Sequence, residues 1–224
     1  PSLSTCTQLP VKYIQKMLSA VFRSSRQLAR SFAVASEIKK IGILGLGLMG
    51  HGITQISAEK GYKVVAVEVN EDALENGKGM IVNSLNQVVK RNVKKGKMTE
   101  EDGVAFVEGV MGNIEFLVGS ENYAEFGDCD LVVEAIKEDL DLKKVVVPKV
   151  AAALKDDAVI GTNTSSYSVA EIAGTTDIPD RFVGLHFFNP VQMMPLVEVV
   201  RSEMTDDDAF DLVFNFTKEL GKTP

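Results

Sequence analysis

The stretch KIGILGLGLMG, residues 40–50, decides the fold. Its first part, Lys40–Leu44, is a short apolar run that predicts a buried strand, and the glycines that follow predict a tight turn. The next residues, Met49–Gly61, predict a helix that ends at Gly61. A strand, a glycine-rich turn and a helix in this order predict the start of a βαβ unit that binds a dinucleotide.

Residues 45–50 have the spacing G-x-G-x-x-G. In such a turn Gly45 permits the tight bend, Gly47 lets the backbone approach a pyrophosphate, and Gly50 lets the helix pack on the strand. The helix N-terminus offers unpaired backbone N–H groups to the phosphates. We therefore also expect Leu48 and Met49, at the start of the helix, to contact the cofactor.

An acidic residue ends the second apolar run. Glu68 follows the β-branched run Lys63–Val67 and lies 18 residues after Gly50. A carboxylate at this position accepts hydrogen bonds from ribose hydroxyls and repels a 2′-phosphate, which favours NAD over NADP. The alternative interpretation of Glu68 is a solvated strand end.

Strands and helices alternate along the rest of the chain. The predicted strands after Glu68 are Ile114–Val118, Leu131–Val133, Val159–Thr162, Phe182–His186 and Leu196–Val200. The predicted helices are Asp72–Lys95, a helix that Thr99 caps, Asp141–Leu154 and a last helix that starts at Thr205–Asp208 and ends near Leu220. This alternation predicts an α/β fold of the Rossmann type, with a doubly wound, mostly parallel sheet and a long helical insert after the second strand.

Charge is distributed unevenly between the start of the chain and the remainder. Residues 1–36 carry no acidic side chain and five basic ones, namely Lys12, Lys16, Arg23, Arg26 and Arg30. From Met17 this basic leader is rich in Arg and Ser, which is typical of a mitochondrial transit peptide. We therefore predict a targeting segment at 1–36 and a location in the mitochondrial matrix, or otherwise in the cytoplasm. The alternative is a disordered basic tail.

Residues 37–224 form the predicted NAD-binding domain. They contain 19 of the 24 basic and all 31 acidic side chains, and an acidic domain argues against a nucleic-acid partner. No apolar run approaches the ~20 residues that cross a bilayer. The two cysteines, Cys6 and Cys129, match neither a metal-binding spacing nor a disulfide framework, so we predict no metal.

The last third of the chain carries residues suited to alcohol chemistry. The segment GLHFFNP, residues 184–190, places His186 between a strand and a turn, and Glu198 lies on the following predicted strand. Histidine takes and returns a proton near neutral pH, and a neighbouring carboxylate orients the ring and stabilises its charged form. We predict His186 and Glu198 as a catalytic pair. A strand-end histidine that is satisfied by backbone groups is the alternative.

With NTSS at residues 163–166, HFFNP at 186–190 and PLVEV at 195–199, the sequence resembles the 3-hydroxyacyl-CoA dehydrogenase family over roughly residues 38 to 224. The resemblance implies NAD-dependent oxidation of a (3S)-3-hydroxyacyl-CoA to a 3-oxoacyl-CoA in fatty-acid β-oxidation. It implies His186 as general base and acid with Glu198 as its partner. Ser165 would touch both the substrate oxygen and the cofactor.

The same resemblance implies further contacts. Asn163 and Asn189 would line the nicotinamide region, and Glu138 and Lys143 would be additional cofactor contacts. Two residues of the long helix would contact the CoA portion of the substrate, namely Ser84 and Arg91. The insert that carries them resembles the helical hairpin of the family.

In the family a helical C-terminal domain follows, which covers the cleft and forms the dimer interface. This sequence does not contain that domain, so we expect the chain to bind NAD, to turn over acyl-CoA poorly, and to form a homodimer only with the missing domain. The segment Met194–Leu196 resembles multifunctional β-oxidation enzymes, but nothing here resembles their hydratase domain.

Two alternatives remain from the sequence. The stretch GLGLMGHGI also resembles 3-hydroxyisobutyrate-type dehydrogenases, which use a lysine base and lack the HFFNP segment. The chain could instead be a non-catalytic NAD-binding or crystallin-like module, because a fold does not determine a function.

Overall fold

The structure is a computed structural model that describes residues 37–224 except Ser120 and Asn122. The predicted leader therefore lies outside the described residues. Within them, strands form one seven-stranded sheet in the order β3-β2-β1-β4-β5-β6-β7. The strands are β1 Lys40–Leu44, β2 Lys63–Glu68, β3 Ile114–Val118, β4 Leu131–Glu134, β5 Val159–Thr162, β6 Phe182–Phe187 and β7 Val197–Val200. Neighbouring strands are parallel except β7, which is antiparallel to β6.

Helices connect the strands in the alternation that the sequence predicts. They are α1 Gly50–Glu59, α2 Glu71–Lys94, α3 Glu100–Met111, α4 Leu140–Ala153, α5 Val169–Ala173 and α6 Asp207–Glu219. Short 3-10 helices lie at Ala124–Phe126 and Pro179–Arg181. Helix α5 and the 3-10 helices are not predicted from the sequence, because segments of three to five residues are too short to show a helical period. The mostly parallel, doubly wound fold is confirmed.

The central strands are buried on both faces, as parallel strands covered by helices are. One apolar cluster joins one face of the sheet to side chains such as Ile53 of α1, Leu85 of α2 and Val213 of α6. A second cluster joins the other face to Val147 of α4 and Ile172 of α5. Two separate apolar layers, one on each side of the sheet, define the doubly wound arrangement.

Local capping explains where the helices of the insert begin. The Asn70 side chain accepts a hydrogen bond from the Ala73 N–H (2.9 Å) at the start of α2. Thr99 starts α3 with a capping box, in which its hydroxyl accepts from the Asp102 N–H (3.0 Å). The two helices approach closely at Gly103, where a Cβ atom would lie 2.3 Å from Val89 Cγ1. The predicted cap at Thr99 and the helical hairpin are confirmed.

The predicted cap of the last helix needs a correction. Asp206 occupies the N-cap position of α6, but its carboxylate makes no capping hydrogen bond within the described part of the chain. Thr205, the residue before it, is buried, and its hydroxyl donates to the Phe182 carbonyl oxygen (2.9 Å) and accepts from the Ser202 N–H (2.9 Å). The segment Thr205–Asp208 thus anchors the helix to the start of β6 and does not cap it through Asp206.

A buried carboxylate fastens the amino-terminal side of the sheet. Asp130, just before β4, accepts hydrogen bonds from the backbone N–H groups of Lys39 (2.7 Å) and Lys40 (2.8 Å) and from the Lys155 ammonium. Burial alone would raise the pKa of Asp130, but the contact with Lys155 and the two N–H donors outweigh it and lower that pKa. Asp130 therefore ties β1 to β4 as a charged group. Among the described residues no helix is long and apolar enough to cross a membrane.

Candidate active site

The glycine turn, Glu68 and the predicted residues after β5 gather at the carboxyl ends of the parallel strands. The glycine turn follows β1, Glu68 ends β2, and Asn163 follows β5. Strand β1 lies between β2 and β4, so the connections on its two sides run in opposite directions across the sheet. Ligands of open α/β sheets bind at such a switch point. The sheet order therefore identifies the same edge that the sequence motifs predict.

The glycine turn is closely packed on one side and open on the other. Gly45 has a φ of 93°, and a Cβ atom there would lie 2.8 Å from the Ala135 carbonyl oxygen. A Cβ atom at Gly50 would lie 1.7 Å from the Gly45 carbonyl oxygen. A Cβ atom at Gly47 would have no atom of the described chain within 4 Å. The turn thus needs Gly45 and Gly50 for its own packing, and it presents Gly47 to open space that a pyrophosphate fits.

Glu68 joins the glycine turn to the end of β2. Its Oε1 atom accepts a hydrogen bond from the Leu46 N–H (2.6 Å), and its Oε2 atom accepts one from the Val69 N–H (2.9 Å). A carboxylate has about four acceptor sites, so lone pairs remain for two ribose hydroxyls. The acceptor oxygens of Glu68 and the open face at Gly47 fit a bound dinucleotide. The predicted contacts Leu48 and Met49 lie beside this opening, with 64% of Leu48 exposed.

His186 and Glu198 are in direct contact. They face each other across β6 and β7, and His186 Nδ1 lies 2.8 Å from Glu198 Oε2. The imidazole is largely covered, with 19% of its side chain exposed, and packs against the Phe188 ring at 4.7 Å between centroids. Because Nδ1 faces the carboxylate, Nε2 is the nitrogen left for a substrate proton. This arrangement has the geometry of a general base with an orienting carboxylate.

A turn after β5 carries Asn163 and Ser165. The Asn163 side-chain oxygen accepts a hydrogen bond from the Phe187 N–H (2.8 Å), which joins this turn to the strand of His186. Ser165 is exposed, and its backbone N–H donates to Glu138 Oε1 (3.1 Å). The Ser165 hydroxyl therefore projects from a turn whose backbone is held by hydrogen bonds.

Glu138 organises this turn. Its Oε1 atom accepts from the hydroxyls of Thr164 (2.6 Å) and Ser166 (3.1 Å) as well as from Ser165. Burial would raise the pKa of Glu138, but the hydrogen bonds from Thr164 and Ser165 and the nearby Lys143 ammonium lower it. The carboxylate is therefore charged and holds the turn in shape. Its predicted contact with the cofactor stays a prediction.

Lys143 is buried, with 1% of its side chain exposed. Its ammonium donates to Glu134 Oε1 (2.6 Å) and lies 3.4 Å from Glu138 Oε2. Glu134 also accepts from the Thr162 hydroxyl (2.7 Å) and the Ile136 N–H (2.9 Å). The structure thus places the Lys143 ammonium in a network beneath the turn, and its predicted cofactor contact remains untested. Sequence reasoning missed Glu134, whose one signal is an acid at the end of an otherwise apolar strand.

The segment after β6 forms a second turn, Asn189–Met194, which we call the proline turn. Asn189 is exposed, and its peptide bond to Pro190 is cis. The Gln192 side chain donates to Gln55 Oε1 of α1 (2.9 Å). The Lys222 ammonium also contacts this turn. Sequence reasoning missed Gln192 and Lys222, because neither belongs to a motif and both act over a long sequence separation.

The two residues predicted for CoA lie on α2. Ser84 is half-buried and Arg91 is exposed. A separation of seven residues puts them on one face of the helix. No hydrogen bond of the described residues joins them to the glycine turn or to His186, and their contact with CoA stays a prediction. The described residues also contain no group of three or more His, Cys, Asp or Glu that could hold a metal ion.

Comparison with known proteins identifies relatives of the whole described region. Residues 40–224 match the family model "3-hydroxyacyl-CoA dehydrogenase, NAD binding domain". A 3-hydroxybutyryl-CoA dehydrogenase of Bradyrhizobium diazoefficiens is 37% identical over 189 residues, which are 84% of this chain and 61% of that protein. A fatty acid oxidation complex subunit alpha of Pseudomonas paraeruginosa is 36% identical over 85% of this chain and 25% of that protein.

The solved structures agree with the sequence comparison. The crystal structure of an (S)-3-hydroxybutyryl-CoA dehydrogenase from Ralstonia eutropha superposes with a TM-score of 0.74 and 37% identity. The match covers 84% of this chain and 62% of that one. In each of these comparisons the chain spans less than two thirds of its relative.

Proposed function

Because the chain belongs to the family of the 3-hydroxyacyl-CoA dehydrogenase NAD-binding domain, we propose that it serves the oxidation of a (3S)-3-hydroxyacyl-CoA to the 3-oxoacyl-CoA in fatty-acid β-oxidation. NAD is the cofactor of this domain family. The observation that carries the proposal is the contact between His186 Nδ1 and Glu198 Oε2, at the same sheet edge as the glycine turn. A nucleotide site beside a general base is what dehydrogenation of an alcohol needs.

His186 moves the proton in this proposal. The glycine turn and Glu68 would hold NAD, which when bound would supply the acceptor for the hydride of the substrate carbon. His186 Nε2 accepts the hydroxyl proton, and the Glu198 carboxylate stabilises the imidazolium that forms. The Ser165 hydroxyl donates a hydrogen bond to the substrate oxygen, while Asn163 and Asn189 line the nicotinamide region. A base of this kind contributes on the order of 10²–10⁴-fold in rate.

The proposal also covers the contacts with the CoA portion of the substrate and the assembly of the protein into a homodimer. Ser84 and Arg91 present a polar, partly basic face of α2 that suits the phosphates of CoA. The relatives are longer than the matched region. We propose that a homodimer interface and the cover of the cleft lie in the part of such proteins beyond that region.

A direct spectrophotometric assay tests the proposed reaction. NADH absorbance is followed with acetoacetyl-CoA, both for this chain and for a version extended by the remaining part of the Bradyrhizobium relative. We expect turnover in the extended version and a loss on the order of 10²–10⁴-fold in His186→Asn. NADH binding, measured by fluorescence titration, should change by less than about threefold in that variant, because the glycine turn is untouched. Turnover of His186→Asn at the wild-type rate would refute the assignment.

The preference for NAD rests on Glu68. The variant Glu68→Gln retains an acceptor for the Leu46 N–H but removes the charge. We expect NADH affinity to fall about tenfold and the rejection of NADPH to weaken, because a charged hydrogen bond is lost together with the repulsion of a 2′-phosphate. The matched control is Glu71→Gln, an exposed acid at the start of α2. Unchanged affinity for both nucleotides in Glu68→Gln would exclude the ribose role.

Two alternative functions give different results in these assays. A 3-hydroxyisobutyrate-type enzyme would oxidise a small free hydroxy acid and ignore acetoacetyl-CoA. A non-catalytic module would bind NADH, with no turnover in either version of the chain. The contact between His186 and Glu198 favours acyl-CoA chemistry over both.

The location in the mitochondrial matrix also remains our proposal. It rests on the Arg- and Ser-rich composition of residues 17–36. The relatives cited above are bacterial. A fluorescent protein fused behind residues 1–36 should enter mitochondria, whereas a diffuse signal equal to that of the unfused fluorescent protein would contradict targeting.

A further inference from the structure

Lys222 contacts the proline turn from the C-terminal side of the chain. Its ammonium donates hydrogen bonds to the carbonyl oxygens of Val191 (2.5 Å) and Met194 (2.8 Å). The next residue, Thr223, is fastened beside it, because its N–H donates to the Pro195 carbonyl (2.7 Å) and its carbonyl accepts from the Val197 N–H (3.0 Å). The backbone beside Lys222 is therefore fixed in position, and the Lys222 ammonium bridges two carbonyl oxygens of the turn.

Helix α1 contacts the same turn from the opposite side. A Cβ atom at Gly52 would lie 2.7 Å from Val191 Cβ, so this glycine allows the turn to approach the helix closely. The Gln192 amide donates to Gln55 Oε1, one turn further along α1 (2.9 Å). The proline turn is thus fixed between α1 and Lys222.

This position lies between the two halves of the predicted site. Helix α1 begins at the glycine turn after β1, and the proline turn begins three residues after His186. A dinucleotide whose phosphates lie at the glycine turn must extend towards His186 to react there. Its nicotinamide half then lies along the proline turn, whereas its adenosine half lies at Glu68.

We propose that Lys222 is a positioning residue, which holds the proline turn in the shape that the nicotinamide half of NAD binds and takes no part in binding the adenosine half. This inference rests on the proposed function. Burial lowers the pKa of Lys222, although Glu59 opposes that shift. A half-buried ammonium needs acceptors to offset its lost hydration, and the carbonyls of Val191 and Met194 supply them.

Two ligands separate the two halves of the cofactor in a binding experiment. NADH and ADP-ribose are titrated against the wild-type chain, Lys222→Met, Lys222→Arg and Lys218→Met. The last variant is the matched control, since Lys218 is an exposed lysine of α6. In Lys222→Met we expect the Kd for NADH to rise about tenfold. The turn then loses the charged hydrogen bonds that hold its binding shape, and one such bond contributes about this much free energy. The Kd for ADP-ribose should stay within about twofold.

The remaining variants make the result specific. Lys222→Arg retains a charged donor and should bind NADH within about threefold of wild type. Gln192→Met removes the contact with Gln55 and should weaken NADH more than ADP-ribose. Equal weakening of both ligands in Lys222→Met, or of neither, would overturn the positioning role. A wild-type chain that binds neither ligand would refute the proposed function itself and this inference with it.

Discussion

His186 and Glu198 are cross-strand neighbours in the antiparallel pair of β6 and β7, so the sheet register sets the 2.8 Å between Nδ1 and Oε2. On either side of them, pairs of apolar residues face each other in the same register, Leu185 with Val199 and Phe187 with Val197. A slip of one residue would turn all of these side chains to the other face of the sheet. The burial of Leu185, Phe187 and Val197 therefore fixes the geometry of the contact between His186 and Glu198.

The Glu198 carboxylate should matter for rate and not for cofactor binding. In Glu198→Gln the hydrogen bond to His186 can persist, but the charge that stabilises imidazolium is lost. We expect acetoacetyl-CoA reduction by the extended chain to fall on the order of 10²–10⁴-fold, with NADH affinity unchanged. The control is Glu203→Gln, an exposed acid after β7. A rate within about twofold of wild type in Glu198→Gln would contradict the pairing.

Alanine should weaken NADH binding at one glycine, Gly50, and leave it unchanged at another, Gly79. In Gly50→Ala the new Cβ would lie 1.7 Å from the Gly45 carbonyl oxygen, so the turn must move. We expect NADH affinity to fall by about tenfold or more in fluorescence titration, because the turn loses hydrogen bonds to the phosphates. At Gly79 of α2 a Cβ meets no described atom within 4 Å. Gly79→Ala should retain NADH affinity and stabilise the chain by ~0.5–1 kcal/mol in urea unfolding. Equal NADH affinity in the two variants would argue against a nucleotide at this turn.

Neighbouring lysines of α4 offer a test of burial. Lys143→Met leaves the Glu134 carboxylate buried without its cation, and we expect the free energy of unfolding in urea to fall by about 3–5 kcal/mol. Lys144 pairs with Glu171 at the surface, with 34% and 48% of the two side chains exposed. Lys144→Met should therefore cost less than about 1 kcal/mol. Adding Glu134→Gln to Lys143→Met removes the unpaired charge and should recover part of the loss. Similar losses of unfolding free energy in Lys143→Met and Lys144→Met would mean that burial does not determine the cost of removing the lysine.

Asp130 should make the fold sensitive to acid. Its pKa is lower in the folded chain than the ordinary 3.8, so its stabilising effect is complete above about pH 4 and is lost as the pH falls through the lowered value. In Asp130→Asn the free energy of unfolding should be smaller at neutral pH and should decline less as the pH falls below about 4. Urea unfolding at several pH values measures this. An equal acid slope in both proteins would exclude Asp130 as a source of the acid sensitivity.

The sequence predicts the sheet well because parallel strands buried on both faces are continuous apolar runs, as Lys40–Leu44 and Val159–Thr162 are. It also predicts the contact between His186 and Glu198, since the two lie on successive strands around a turn. It misses the buried ion pair of Glu134 and Lys143, because Glu134 resembles a solvated strand end and Lys143 is expected only as a cofactor contact. Side-chain partners over long separations have no local signal.

Lys222 illustrates the same limit. It lies 31 residues from Val191 in the sequence, and only the folded chain brings its ammonium to that carbonyl. The short helix α5 was missed for a different reason, since five residues are fewer than two helical turns. Local patterns therefore predict the elements and the motif residues, whereas the supports beneath the site become visible only in three dimensions.

The connection between β6 and β7 does not determine the contact between His186 and Glu198. Strand register fixes the distance between His186 and Glu198, so the exposed side chains of that connection, Met193, Met194 and Leu196, are not needed to maintain it. These three positions can diverge, or be redesigned, without changing the distance between His186 and Glu198. The side chains of this connection are therefore free to vary as long as β6 and β7 keep their register.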